Sequence, residues 1–255
     1  MGIVLYPVVE TGDSMDFTEI VRDALTYVKQ GVFENRGRWM RLILALILLA
    51  IPMNGYVMRI YRGETPAPEV DRWGRLFIDG LKLMIVGLIW SIPILVIWVF
   101  TYGALVAAVF SGNTHSLSAW TPNMGLVLLM YVAEIAVGIL LPVASIRFAR
   151  SNSFTEAFNF SAIIGHISRI GWISYILGLL IVAVLVAVPV MALICIFVLL
   201  GIILAVISGF NLAVVLGIIA IAIIVILLIS PLFAIFQARY WTRIYDSAIP
   251  APVVE

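Results

Sequence analysis

From Leu83 onward the chain is a series of long apolar runs separated by short polar breaks. No charged residue lies between Lys82 and Glu134, or between Arg169 and Arg239. About 20 apolar residues cross a hydrocarbon core of about 30 Å, so each stretch is long enough for two crossings. The Leu, Ile, Val and Ala runs lack a two-residue alternation. Helices, not barrel strands, are therefore what satisfies their backbone in lipid. The predicted fold class is all-α, a polytopic integral membrane helical bundle. It comprises two long transmembrane hairpins, an N-terminal short or re-entrant hairpin, and amphipathic interfacial helices.

The hairpins pair Leu83–Phe110 with Asn123–Ser145, and Trp172–Ile207 with Leu212–Phe236. The run from Ile170 to Ile207 would make a helix of about 57 Å, more than one crossing requires. It is expected to tilt, to kink at Pro189, and to end in protein or beyond the bilayer.

Before the hairpins, Asp16-Phe17-Thr18-Glu19 has capping spacing. Phe17, Ile20, Ala24, Val28 and Val32 then form one stripe, opposite Glu19, Arg22, Asp23, Thr26 and Lys29. Residues 15–33 read as a helix lying on the membrane surface or docking on its own protein. The stretch Leu42–Met58 either spans or turns back at Pro52-Met53-Asn54-Gly55. Basic residues cluster at 36–41, 59–82, 147–169 and 239–243, and none lies at Ser111–Pro122 or Ser208–Asn211. Arg and Lys concentrate in cytoplasmic loops. All clusters fall on one side only if residues 39–61 return to the side they entered, which favours a re-entrant hairpin with both termini cytoplasmic. The chain thus divides, within one membrane domain (1–255), into 15–33, 39–61, an interfacial segment and hairpin at 71–145, a second such unit at 153–236, and a cytoplasmic tail at 237–255.

Composition agrees. Hydrophobic residues make up 64% of the 255 and charged residues 11%, against about 25% charged in a soluble domain. A net charge of +1 gives no support for a nucleic-acid partner. The single cysteine, Cys195, sits in an apolar run and forms no intrachain disulfide. Neither a basic leader nor a myristoylation pattern is expected at Met1–Thr11, so the helices themselves insert the protein.

Internal echoes suggest a repeat. Pro142 is followed at the seventh and eighth places by Ala149-Arg150, and Pro231 by Ala238-Arg239. Asp16-Phe17-Thr18-Glu19 is echoed by Ser153-Phe154-Thr155-Glu156, and each precedes an interfacial tryptophan. The unit would be a surface helix followed by a membrane hairpin, used three times in one orientation, unlike the inverted repeats of several transporter folds.

Glu134 is the one charge deep in a span. A carboxylate there is protonated, hydrogen-bonded or in contact with water. Folding the first long hairpin about Ser111–Pro122 puts Thr101 and Tyr102 at similar depth, so the Tyr102 hydroxyl could bond Glu134 as a polar clasp. Ion or proton binding is the competing reading, and the lack of a second intramembrane charge favours the clasp. Each apolar segment holds one proline, Pro52, Pro93, Pro142, Pro189 or Pro231, expected as fixed kinks. Glu64, Glu69, Asp71, Asp79, Glu156 and His166 gather with Arg72, Arg75 and Arg169 on the cytoplasmic face, as solvating and headgroup-facing residues. His115 reads as solvated. Trp39, Trp73, Trp172, Tyr240 and Trp241 read as interfacial anchors. There is no HExxH, no phosphate-cradling glycine loop and no metal-ligand spacing, so no catalytic residue, metal or cofactor is assigned and no enzyme is expected.

Gly55-Tyr56-Val57-Met58-Arg59, Pro66 to Pro68, and Asp71-Arg72-Trp73-Gly74-Arg75-Leu76-Phe77-Ile78-Asp79-Gly80-Leu81-Lys82 resemble the hallmark region of the uncharacterised membrane family known as domain of unknown function 4013. Ser153-Phe154-Thr155-Glu156-Ala157-Phe158 and Arg239-Tyr240-Trp241 also fit its pattern. The resemblance implies an archaeal cytoplasmic-membrane protein and supplies no activity or site residue.

The expected function is a non-enzymatic membrane scaffold or subunit that shapes or organises the bilayer. Its expected partners are membrane lipids and further copies of itself or other subunits. The alternative is a small transporter or channel using Glu134.

Overall fold

The structure, a computed structural model, describes residues 15–34, 36–112 and 120–248; His115 lies outside them. The described residues are helical, with no strands.

Helix α1 (Phe17–Val28) starts at Asp16, whose carboxylate accepts the Thr18 and Glu19 N–H groups and so satisfies two orphan donors. It runs on through a wider turn at Lys29–Phe33. The expected stripe is largely buried, with Ile20, Ala24, Val28 and Val32 all in the core. A second apolar edge, including Leu25 and Phe33, faces outward. The helix thus docks on its own protein and still offers an apolar side to lipid.

Next come α2 (Arg36–Ile47) and α3 (Ile51–Tyr61), of 12 and 11 residues. Each is about 18 Å long or less, too short to cross a bilayer. Their reversal is at Leu48-Leu49-Ala50, where Leu49 and Ala50 take left-handed φ of 57° and 58°, and not at Pro52–Gly55 as the turn residues suggested. Pro52 instead sits in the first turn of α3, where its missing N–H costs nothing. Asn54 donates from its amide to the Ala50 carbonyl. Gly55 lets another helix approach. The hairpin tip, including Ile47, Leu48 and Leu49, is exposed and apolar.

Among the described residues four helices are long and apolar enough to cross a membrane. They are α4 (Trp73–Phe110), α5 (Met124–Ser151), α8 (Trp172–Ile207) and α9 (Leu212–Asp246). Between α5 and α8 lie the short α6 (Phe154–Ala157) and α7 (Phe160–Ile170). The segment after Asp71 is not a separate surface helix, because α4 runs unbroken from Trp73. Residues 237–246 are not a tail, because α9 continues through them into the core.

Pro93, Pro142, Pro189 and Pro231 each lie 17 to 19 residues from the loop end of their helix. That is about 26–29 Å at 1.5 Å per residue, close to one hydrocarbon thickness. On the loop side of the prolines the helices are nearly bare, since only 6% to 17% of their most apolar 18 residues is buried. On the other side burial is dense, taking in Leu76, Val86, Val143 to Ala149, Tyr175 and Ile235 to Tyr245. The molecule is a packed platform at the basic end, built from α1, α2, α3, α6, α7 and the ends of the long helices, with two slender hairpins projecting from it.

Two glycines set the closest contact in the platform. A Cβ on Gly55 would lie 1.9 Å from the Leu76 carbonyl oxygen, and one on Gly80 1.8 Å from that of Ile51. Helices α3 and α4 therefore cross with their backbones touching, and both glycines belong to the hallmark block.

Candidate functional site

Glu134 lies on an exposed face of α5 and forms no hydrogen bond or ion pair among the described residues. Gly138, one turn on, has no atom within 4 Å of where its Cβ would be. A flank of the helix, with Ala133, Ala136, Val137 and Leu140, faces Trp90 and Pro93 of α4 across an apolar crevice of about 480 Å³. Glu134 itself does not line the crevice.

The expected clasp does not form. The Thr101 hydroxyl is buried and donates to the Ile97 carbonyl of its own helix. The Tyr102 ring packs between Trp98 and Trp120, at centroid distances of 5.8 and 5.7 Å. Equal depth in a hairpin does not set which way a side chain faces.

Many polar residues of the platform pair with one another. Arg59, 3% exposed, donates to the Asp71 carboxylate at 2.7 Å and to the Glu69 and Asp71 carbonyls. Arg62 pairs with the buried Asp79 at 2.7 Å and reaches the Ala149 carbonyl. Arg38 pairs with Glu69, and Arg147 with Glu156. These bonds hold the Glu69, Asp71 and Glu156 carboxyls below the usual carboxylate range. Arg72 lies 3.4 Å from Asp71, and the Glu64 carbonyl accepts the Tyr27 hydroxyl. Arg75 is exposed. Of the cytoplasmic-face set, then, Asp79 and His166 belong to the interior.

His166 stacks on Tyr245 at 3.8 Å between centroids. Its Nε2 lies 3.0 Å from the Tyr245 carbonyl, an acceptor, so Nε2 carries the proton. Its Nδ1 then accepts from Arg169 at 3.2 Å. Burial, and after it the nearby Arg169, Arg147 and Arg150, push the imidazole pKa down, against the opposing pull of the Tyr245 bond. Both ring nitrogens are satisfied in the neutral form.

The equal Pro-to-Arg spacing has matching surroundings. The Arg150 guanidinium lies 4.7 Å over the Tyr245 ring and 2.6 Å from Asp246. That of Arg239 lies 4.8 Å over Tyr27 and 2.6 Å from Asp23. The turns that the prolines disrupt also receive similar donors. The Tyr175 hydroxyl donates to Ile139, three residues before Pro142, at 2.6 Å. The Trp39 indole donates to Leu228, three before Pro231, at 3.3 Å. Sequence reasoning missed these roles of Tyr27, Trp39, Tyr175 and Tyr245, and the repeated spacing was the only signal for them.

The aromatic anchors divide. Trp172 is exposed and Trp39 and Trp73 are half-buried. Tyr240 and Trp241 are buried, Tyr240 donating to the Gly178 carbonyl at 3.0 Å and Trp241 packing on Tyr175. They are core residues and not headgroup anchors, because α9 turns this face onto α8.

Among the described residues no group of acids, histidines and cysteines could hold a metal. The crevices of the hairpins are apolar. One of about 580 Å³ between α8 and α9 is lined by residues such as Leu193, Phe197, Gly201, Ile218 and Ala222.

Residues 40–229 match the family described as a protein of unknown function (DUF4013), and the chain belongs to that family. No curated protein and no solved structure matches the chain.

Proposed function

We propose that this member of the DUF4013 family is a non-enzymatic scaffold or subunit of the cytoplasmic membrane, organising or shaping the bilayer from one leaflet. One observation carries the reading: a platform in which many charged groups are bound up in internal ion pairs holds two hairpins whose apolar surface is almost wholly free. Enzymes gather a few convergent polar groups in a pocket, whereas the free surface here is suited to lipid and to other helices. The outward direction of Glu134 gives a transport path through this hairpin less support.

The platform is on the cytoplasmic side in this reading, since the basic clusters lie in it and the connection Ser208–Asn211 has none. It is wide at one leaflet, where Leu25, Phe33 and the Leu48-Leu49 tip meet lipid, and narrow at the other. The matching surroundings of Arg150 and Arg239 support descent of the two hairpins from one repeated unit.

The test is the native mass of the particle taken from its own membranes in gentle amphiphile, with the shape of vesicles carrying the purified protein. A defined oligomer or stable complex is expected. A monomer in native-like lipid that alters neither vesicle shape nor any partner would overturn the proposal.

A further inference from the structure

We infer that the outward seam of α5 is where a second copy of this chain docks, with the two Glu134 carboxyls hydrogen-bonded to each other in mid-bilayer. The inference rests on the scaffold reading and gives it a surface and a partner. Glu134 lies ten residues into α5, about 15 Å from the loop end and near the centre of a hydrocarbon core of about 30 Å. A carboxyl at that depth facing lipid is costly and calls for a polar partner. Among the described residues none bonds it, and the other charges of the hairpins lie at or beyond Lys82, Arg147, Arg169 and Arg239.

The residues around Glu134 form a seam. Met124, Val127, Tyr131, Glu134, Gly138 and Leu141 recur at alternating spacings of three and four. Residues at that spacing line one face of a helix, along which a second helix can pack at a crossing of about 20°. All six are exposed or half-buried. None of the six lines the crevice that α5 shares with α4. Gly138 serves no packing inside the chain, and glycine costs a helix stability. On a shared face it lets two backbones approach.

Self-complementarity selects a second copy over a foreign helix. A protonated carboxyl carries one donor besides its acceptors. A twofold axis along the membrane normal sets the same residue opposite itself at the same depth, as an isologous interface requires. A foreign helix would need a separate polar group at that level.

The experiment uses the full chain with Cys195→Ser, single cysteines, and mild oxidation in native membranes. Tyr131→Cys on the seam should give a disulfide-linked species of twice the 28.1 kDa chain mass. Val132→Cys, exposed but off the seam, should give little. Adding Glu134→Leu or Gly138→Ile should cut the Tyr131→Cys product about three- to tenfold, and Glu134→Gln, which keeps a donor and an acceptor, should restore most of it. Gly138→Ile meets open space within the chain, so an unchanged melting temperature separates lost docking from misfolding. Equal linking at both positions, or linking that ignores Glu134→Leu, overturns the inference. So does linkage of Tyr131→Cys to a different protein. An oligomeric native particle with no linking at Tyr131→Cys removes this interface and leaves the scaffold reading intact. A monomeric particle removes the interface, and the scaffold reading with it when vesicle shape and partners are also unaffected.

Discussion

The backbone of α4 at Gly80 touches that of α3 at Ile51, where a Cβ on the glycine would lie 1.8 Å from the Ile51 carbonyl oxygen. With Gly55 against Leu76, this crossing gives the hallmark glycines a physical purpose, since no side chain fits between the helices.

Gly80→Ala should therefore destabilise the protein severely, by about 3 kcal/mol or more, because the atom it meets is backbone and cannot swing away. Gly87→Ala on the same helix meets nothing within 4 Å and should be neutral or stabilising by about 0.5–1 kcal/mol. Thermal unfolding in detergent compares them. Similar melting temperatures for the two variants would show that the helices do not touch at Gly80.

Arg59 joins the α3 end to the loop before α4 through one carboxylate and two carbonyls. Arg59→Met should cost about 2–4 kcal/mol, because buried carbonyls lose their donors. Arg59→Lys should recover little, since an ammonium cannot span three acceptors as a planar fork does. Full recovery by lysine in an unfolding assay would show that charge alone matters there.

Acid should weaken the platform first through His166. Its pKa is lowered from the ordinary 6.5, so near that value the unfolded chain binds the proton more readily than the folded one. Its contribution is complete above about pH 6.5 and lost as pH falls below it. The depressed Glu69, Asp71 and Glu156 contribute above the normal carboxylate range and are lost only at lower pH. Melting curves from pH 8 to 5 should fall, and His166→Gln should flatten the upper part of the fall. An unchanged slope in the variant would assign it to other groups.

Cys195 is exposed on α8, six residues to the loop side of Pro189. If the prolines mark the bilayer edge, it sits about 9 Å inside. A charged maleimide should fail to label it in sealed or opened vesicles and label it after denaturation in detergent. Rapid labelling in opened vesicles would move the edge away from Pro189.

The sequence alone was enough for the class and for the four long apolar helices. Charge-free stretches of such length have no aqueous solution, and the block from Gly55 to Lys82 was sufficient to indicate the family. Asp16 as a helix cap and the stripe from Ile20 to Val32 were also legible, because capping and amphipathic period are local properties.

Which face of each long helix is inward was decided only by the tertiary structure. In water, the apolar side of a helix points to the core. In lipid both sides are apolar, so the pattern carries no such direction. That is why Glu134 and Tyr102, placed at one depth by the sequence, do not meet in the fold. It is also why Tyr240 and Trp241, with the composition of headgroup anchors, prove to be core. The reversal at Leu48–Ala50 was hidden for a related reason. Its residues have no turn preference, and the chain bends there because packing Gly55 against α4 leaves Pro52 and Asn54 within a helix.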